Sequence, residues 1–169
     1  MPHLDAAYRF ARWLCRSPGD ADDIVQEAFL RAFRGFDSLR GGDVKSWLLT
    51  IVRNCCATAF EQQRRRPTVS FGEEHEEALR SDADAASPDP ESAMAAEDER
   101  RTLGRLIEAL PEEHRQVLLL RELEELSYRE IAAVTRVPIG TVMSRLARAR
   151  AALRGKWLDE SGGVPRAVR

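Results

Sequence analysis

Residues 67–99 carry eleven acidic side chains against one basic residue, Arg80, in a 169-residue chain whose formal net charge is only −2. Most of that stretch reads "SFGEEHEEALRSDADAASPDPESA", with few large apolar residues and with Pro88 and Pro90 close together. A segment of this kind cannot bury enough surface to offset its ordering entropy, and like-charge repulsion extends it. It predicts a flexible acidic linker, over residues 67–96, that divides the chain into two small modules. The first spans residues 1–66 and the second 97–158, with a short tail over 159–169. No repeat relates the two.

The flanks have the opposite sign. Residues 1–66 hold 11 Lys/Arg against 8 Asp/Glu, and residues 127–158 hold 7 against 1. The acidity is confined, and a basic surface on each module suits an anionic partner. A hydrophobic fraction of 43% is enough for a core, and 32% charged residues suit a soluble chain. No run of about 18 apolar residues offers a membrane span. The opening Met1-Pro2-His3-Leu4-Asp5 lacks the basic-then-apolar layout of a signal peptide, so a cytoplasmic location is expected.

Both modules read as helical, giving an all-α fold class. In "DADDIVQEAFLRAFRGF" the residues Ile24, Val25, Ala28, Phe29, Ala32, Phe33 and Phe36 fall at helical spacing and predict one buried face. Asp20, Asp22 and Asp23 lie where a helix N-terminus favours negative charge. Gly41-Gly42 breaks the pattern, "VKSWLLTIVRNCCATAF" starts another apolar helix, and Pro67 stops it. In the second module "RLIEALPEEHRQVLLLRELEEL" reads as two helices, with Pro111 opening the second. Ser127 and Glu130 then form a capping box that starts a short helix. A turn follows, with Pro138 at the first position of a last helix. Val142, Leu146, Ala149 and Leu153 define its buried stripe, and the pair is a helix-turn-helix pattern.

With that stripe inward, Gly140, Ser144, Ala147 and Ala151 point outward, flanked by Thr141, Arg145 and Arg148 on one side and by Met143 and Arg150 on the other. Small residues allow close approach, Arg reaches phosphates and guanine edges, and Ser or Thr donates to phosphate. This edge suits a DNA major groove; an ordinary solvated basic face is the alternative.

The bland readings cover most other polar and aromatic residues. Cys15, Cys55 and Cys56 form no metal knuckle and read as small buried hydrophobes, with a redox or metal sensor as the alternative. Trp13 and Trp47 sit in apolar helical patterns and are expected in the core, and Trp157 packs at the end of the last helix. His3, His75 and His114 are scattered, so no metal site or cofactor is expected. No nucleophile motif or phosphate-binding glycine loop appears, and no enzymatic activity is expected.

Two longer stretches resemble one family. "DADDIVQEAFLRAFRGFDSLRGGDVKSWLLTIVRN" is similar to region 2 of the bacterial extracytoplasmic-function (ECF) sigma factors, and "ALPEEHRQVLLLRELEELSYREIAAVTRVPIGTVMSRLARAR" to their region 4. The order and the intervening linker are those of the family. The resemblance implies a dissociable promoter-specificity subunit of bacterial RNA polymerase, which melts the minus-ten element and initiates transcription. It implies that Asp23, Gln26, Glu27, Arg31 and Arg34 dock on the clamp helices of the largest polymerase subunit, and that region 4 meets the flap region. It further implies that Leu39, Arg40, Lys45, Arg53 and Asn54 read the single-stranded minus-ten element. Thr141, Met143, Ser144, Arg145 and Arg148 would read the minus-thirty-five duplex. Core RNA polymerase, promoter DNA and an anti-sigma factor are the implied partners, with no membrane insertion. Inside polymerase, the acidic linker would mimic nucleic acid.

Three departures stand out. Few residues precede the segment matching region 2, which puts the packing of the first helix in question. Met143 stands where many members have Lys or Arg, and Thr58 where Asp is common. The chief rival reading is a stand-alone helix-turn-helix regulator that shifts duplex DNA alone; a protein-interaction adaptor that needs no promoter is a third.

Overall fold

The computed structural model describes residues 3–15, 18–39, 41–65 and 90–160. These form α1 (Leu4–Leu14), α2 (Pro18–Gly35), a 3-10 turn (Phe36–Ser38), α3 (Val44–Arg65), α4 (Pro90–Glu108), α5 (Glu112–Glu122), α6 (Tyr128–Thr135) and α7 (Ile139–Glu160). Described residues 41–65 and 90–160 bracket the sequence-predicted linker; positions 67–89 of it lie outside the described residues. Its last part, from Pro90, is the start of α4.

In the first module α1, α2 and α3 pack against one another. Phe10, Trp13 and Leu14 from α1 meet Ala21, Ile24, Val25 and Ala28 from α2 and Leu48, Leu49, Val52 and Cys56 from α3. α1 is an eleven-residue helix that buries Ala6, Ala7, Phe10, Ala11, Trp13 and Leu14, with Arg12 buried beside them. α3 opens on a cap that the sequence pattern did not reveal. The Ser46 backbone N–H and hydroxyl both donate to Asp43 Oδ2 at 2.7 Å, satisfying a helix-end donor that would otherwise lack a partner. Gly41, with φ of 66°, supplies the left-handed step before it.

The buried face predicted for α2 needs correction. Ile24, Val25, Ala28 and Ala32 are buried and Phe29 packs against the core, but Phe33 is 84% and Phe36 58% exposed. At 100° per residue the stripe rotates, and after Ala32 it leaves the groove between α1 and α3. Phe36 keeps only an edge contact, with its ring 6.4 Å from that of Trp47.

The second module follows its local signals closely. Ser127 caps α6, with its side chain accepting from the Glu130 N–H at 3.3 Å while the Glu130 carboxylate takes the Ser127 N–H at 2.6 Å. Pro111 and Pro138 each sit one residue before their helices rather than inside them. Two left-handed residues, Glu125 and Arg136, both with φ of 56°, turn the chain on either side of α6. Val117, Leu119, Leu120, Ile131, Val134, Val142, Leu146 and Ala149 make its core, with Leu153 packed against it. Burial of each Leu, Ile or Val in that list contributes roughly 1.5–3 kcal/mol.

The modules also touch. α3 packs against α6 and α1 against α5, and the buried apolar cluster runs continuously from one module into the other.

Candidate nucleic-acid interface

α7 presents the edge its sequence predicts. Gly140 has open space in front of it, and Met143, Ser144, Ala147, Arg148 and Ala151 are exposed around it, with Thr141 half-buried. The Ser144 hydroxyl donates to the Thr141 carbonyl at 3.0 Å, which leaves its oxygen lone pairs outward. The arginines differ in their engagement. Arg145 pairs with Glu113 of α5, and Arg150 pairs with Glu122 at 2.6 Å, which pushes its guanidinium further up. Arg148 is exposed and makes no ion pair with another described residue. Beyond it, a shallow concavity of about 400 Å³ lined by Ala147, Arg150, Ala151, Arg154, Gly155 and Leu158 continues the face.

The minus-ten candidates do not gather on one open surface. Leu39 is half-buried after the 3-10 turn, and Arg40 lies outside the described residues. Lys45, in the first turn of α3, faces the second module: its Nζ lies 3.0 Å from a Glu124 carboxylate oxygen and 2.8 Å from the Glu124 carbonyl. Arg53 Nε reaches Gln116 Oε1 of α5 at 3.5 Å. Asn54 is half-buried, and nine residues of helix set it about 180° around α3 from Lys45.

On α2 the candidates for protein docking share an outer face. Asp23, Gln26, Arg31 and Arg34 are exposed and Glu27 half-buried. Arg31 donates to Glu27 at 2.7 Å, and that hydrogen bond raises the Arg31 pKa. Leu30, Phe33 and Phe36, at 46%, 84% and 58% exposure, make an apolar patch beside them. The apolar periodicity of α2 predicts both phenylalanines inward, whereas the spacing of Gln26, Leu30 and Phe33 along one face is the signal for this exposure.

All three cysteines are buried. Cys15 and Cys56 lie Sγ to Sγ at 4.0 Å. That contact, with burial, pushes the Cys56 thiol far up, and burial raises Cys55, so both stay protonated. Among the described residues no group of three His, Cys, Asp or Glu could hold a metal ion, and no helix is long and apolar enough to cross a membrane.

A helix-turn-helix with an open basic edge, packed against a second helical module, defines a two-module DNA-binding protein. Residues 1–66 match the family model for sigma-70 region 2, and residues 100–153 that for sigma-70 region 4. The chain is 43% identical over 141 residues to the ECF RNA polymerase sigma-E factor of Escherichia coli, covering 82% of this chain and 74% of that one. It is 39% identical over 138 residues to the RNA polymerase sigma-H factor of Pseudomonas aeruginosa, covering 79% and 71%. The solved sigma factor RpoE of Bartonella quintana, in complex with the anti-sigma factor NepR, superposes with a TM-score of 0.71 at 25% identity, over 90% of this chain and 89% of that one. The fold is shared with CnrH, solved with the cytosolic domain of CnrY, at a TM-score of 0.63 and 23% identity, over 94% and 83%. The chain belongs to the sigma-70 family and is an RNA polymerase sigma factor of the extracytoplasmic-function type.

Proposed function

We propose that the chain binds core RNA polymerase through the outer face of α2, melts and reads the minus-ten element with its first module, and reads the minus-thirty-five duplex with α7. The observation that carries this reading is the exposed edge of α7 from Gly140 to Arg148, held on a helix-turn-helix whose first helix starts at the Ser127–Glu130 capping box. Thr141, Met143, Ser144 and Arg148 would meet DNA directly. Arg145 would first have to exchange Glu113 for a phosphate.

On α2, Asp23, Gln26, Glu27, Arg31 and Arg34 supply the polar part of the polymerase contact, and Leu30 and Phe33 its apolar part. An aromatic side chain that a partner desolvates at the centre of a contact is a common binding hot spot. Asn54, with both donor and acceptor groups, would receive a base taken out of the stack. The RpoE–NepR complex supports an anti-sigma factor as a further partner. The flap region of polymerase is the proposed seat of the second module. A cytoplasmic location, where polymerase works, and the absence of catalysis by the chain itself belong to the same reading.

Transcription in vitro with purified core polymerase tests it. The chain should direct initiation from a subset of promoters and bind duplex DNA weakly without core. Tight, specific duplex binding by the chain alone, with no core-dependent transcript, would defeat the proposal.

A further inference from the structure

One carboxylate of the second module is held by the first. Glu124 follows α5 in a turn fixed by its own N–H on the Leu119 carbonyl at 3.2 Å and by the Leu126 N–H on the Leu120 carbonyl at 3.0 Å. Its side chain is only 1% exposed. Arg9 of α1 donates to both of its oxygens, from Nε at 3.2 Å and from Nη2 at 3.3 Å. Lys45 of α3 closes the other side at 3.0 Å.

Two cations from two helices of one module thus converge on a single anion that the other module supplies. A guanidinium fork and an ammonium around one pair of oxygens fit a phosphate as well as a carboxylate. The cations keep 41% and 24% of their side chains exposed even with Glu124 in place, so withdrawal of the second module would leave both unpaired and open to solvent. Arg53, on the same helix as Lys45, faces the same module through Gln116. The covered surface is therefore a cationic track rather than one isolated site, which favours a polyanion over a free ion.

We propose that Arg9 and Lys45 form a backbone-phosphate site for single-stranded promoter DNA, and that Glu124 occupies it as an internal substitute while the modules are packed together. The proposal rests on the sigma-factor reading of the first module and adds Arg9 and Glu124 to it. Packing of the modules and binding of the strand are then mutually exclusive. Each opposes the other by the same factor.

The test uses the full chain, a dye on each module, and a labelled single-stranded DNA of mixed sequence, since phosphate contacts do not depend on sequence. Strand binding should separate the dyes in the unaltered chain, a readout that needs no variant. Glu124→Gln should raise strand affinity several-fold and separate the dyes without DNA. Adding Arg9→Gln or Lys45→Gln to that variant should remove the gain and lower the salt slope by roughly 0.7 for each lost contact. Dyes that stay together when DNA is saturating would overturn the proposal. So would a Glu124→Gln chain of native helicity with unchanged affinity, or an Arg9→Gln addition that changes neither affinity nor slope. Transcription by core polymerase with the unaltered chain is scored separately. Its failure removes the sigma-factor reading while leaving the phosphate measurement standing.

Discussion

α7 buries Val142, Leu146 and Ala149 along a stripe continued by Leu153, whereas α2 loses its stripe after Ala32 and ends with Phe33 and Phe36 in solvent. Both are long amphipathic helices, of 22 and 18 residues. The difference lies in their neighbours. Among the described residues α4, α5 and α6 all pack against α7, while α2 packs mainly against α1, α3 and the 3-10 turn that follows it. A helix covered from three sides shows its free face as a narrow polar edge. One covered only in part exposes large apolar residues where its partners stop, and such a patch marks a binding surface.

The largest effect should separate these two kinds of apolar residue. Leu146→Ala empties a site that is 1% exposed and should cost about 2–5 kcal/mol in urea unfolding. Phe33→Ala removes a larger side chain but should change stability by no more than about 0.5 kcal/mol. It should weaken binding to core polymerase instead. Equal losses of stability would mean that Phe33 is packed in solution and that α2 resembles α7 after all.

The arginines of α7 sharpen the comparison on the polar side. Arg148→Ala should cost about 1–3 kcal/mol at one minus-thirty-five position and relax preference there. Arg145→Ala should have a smaller, sequence-independent effect, because Arg145 must leave Glu113 before it reaches DNA. Polymerase carrying each variant, assayed on a set of promoter point mutants at two salt concentrations, gives the answer. If Arg148→Ala loses nothing on any promoter, this face of α7 does not meet DNA.

Legibility in the sequence followed how local each signal is. The capping box at Ser127 and Glu130, the stripe of α7 and its outward edge depend on residues within four positions of one another, and all were readable. Whether Phe33 is covered depends on where α1 and α3 end in space, which α2's own periodicity does not contain. The polar cap at Asp43 lies just before the apolar pattern, which starts at Val44 and carries no sign of it. The contact between modules was invisible for a stronger reason. Arg9 and Glu124 lie 115 residues apart, on either side of an acidic stretch that suggests only separation.

The caps of the two modules offer a third test. Asp43→Ala should destabilise the chain by about 1 kcal/mol, as should Ser127→Ala, since each removes a side-chain acceptor at a helix start. Their pH dependence should differ. Hydrogen bonds from the Ser46 N–H and then its hydroxyl hold the Asp43 carboxyl below its ordinary value. Its contribution is therefore fully present above about pH 4, the unfolded carboxylate value, and is lost as pH falls through the lower folded value. Asp43→Asn keeps a capping oxygen but cannot titrate. It should narrow the stability gap to the unaltered chain as the pH drops below about 4, and a gap that stays constant would mean Asp43 does not titrate as a cap.

The smallest effect concerns the turns beside α6, where the second module accepts a local cost. Glu125 and Arg136 hold φ of 56°, a left-handed conformation that disfavours any residue with a Cβ by roughly 1–2 kcal/mol. Glycine removes that strain but adds freedom to the unfolded chain, which returns about 0.4–1 kcal/mol. Arg136→Gly should thus stabilise the chain by a few tenths of a kcal/mol to about 1, and its exposed side chain leaves no packing to lose. Glu125→Gly involves the same backbone exchange, but its turn also carries Glu124, the carboxylate between Arg9 and Lys45. A more pliable turn there should loosen the contact between modules, so Glu125→Gly should gain less than Arg136→Gly in urea unfolding. Equal gains would show that the turn positions Glu124 without help from the rigidity of residue 125.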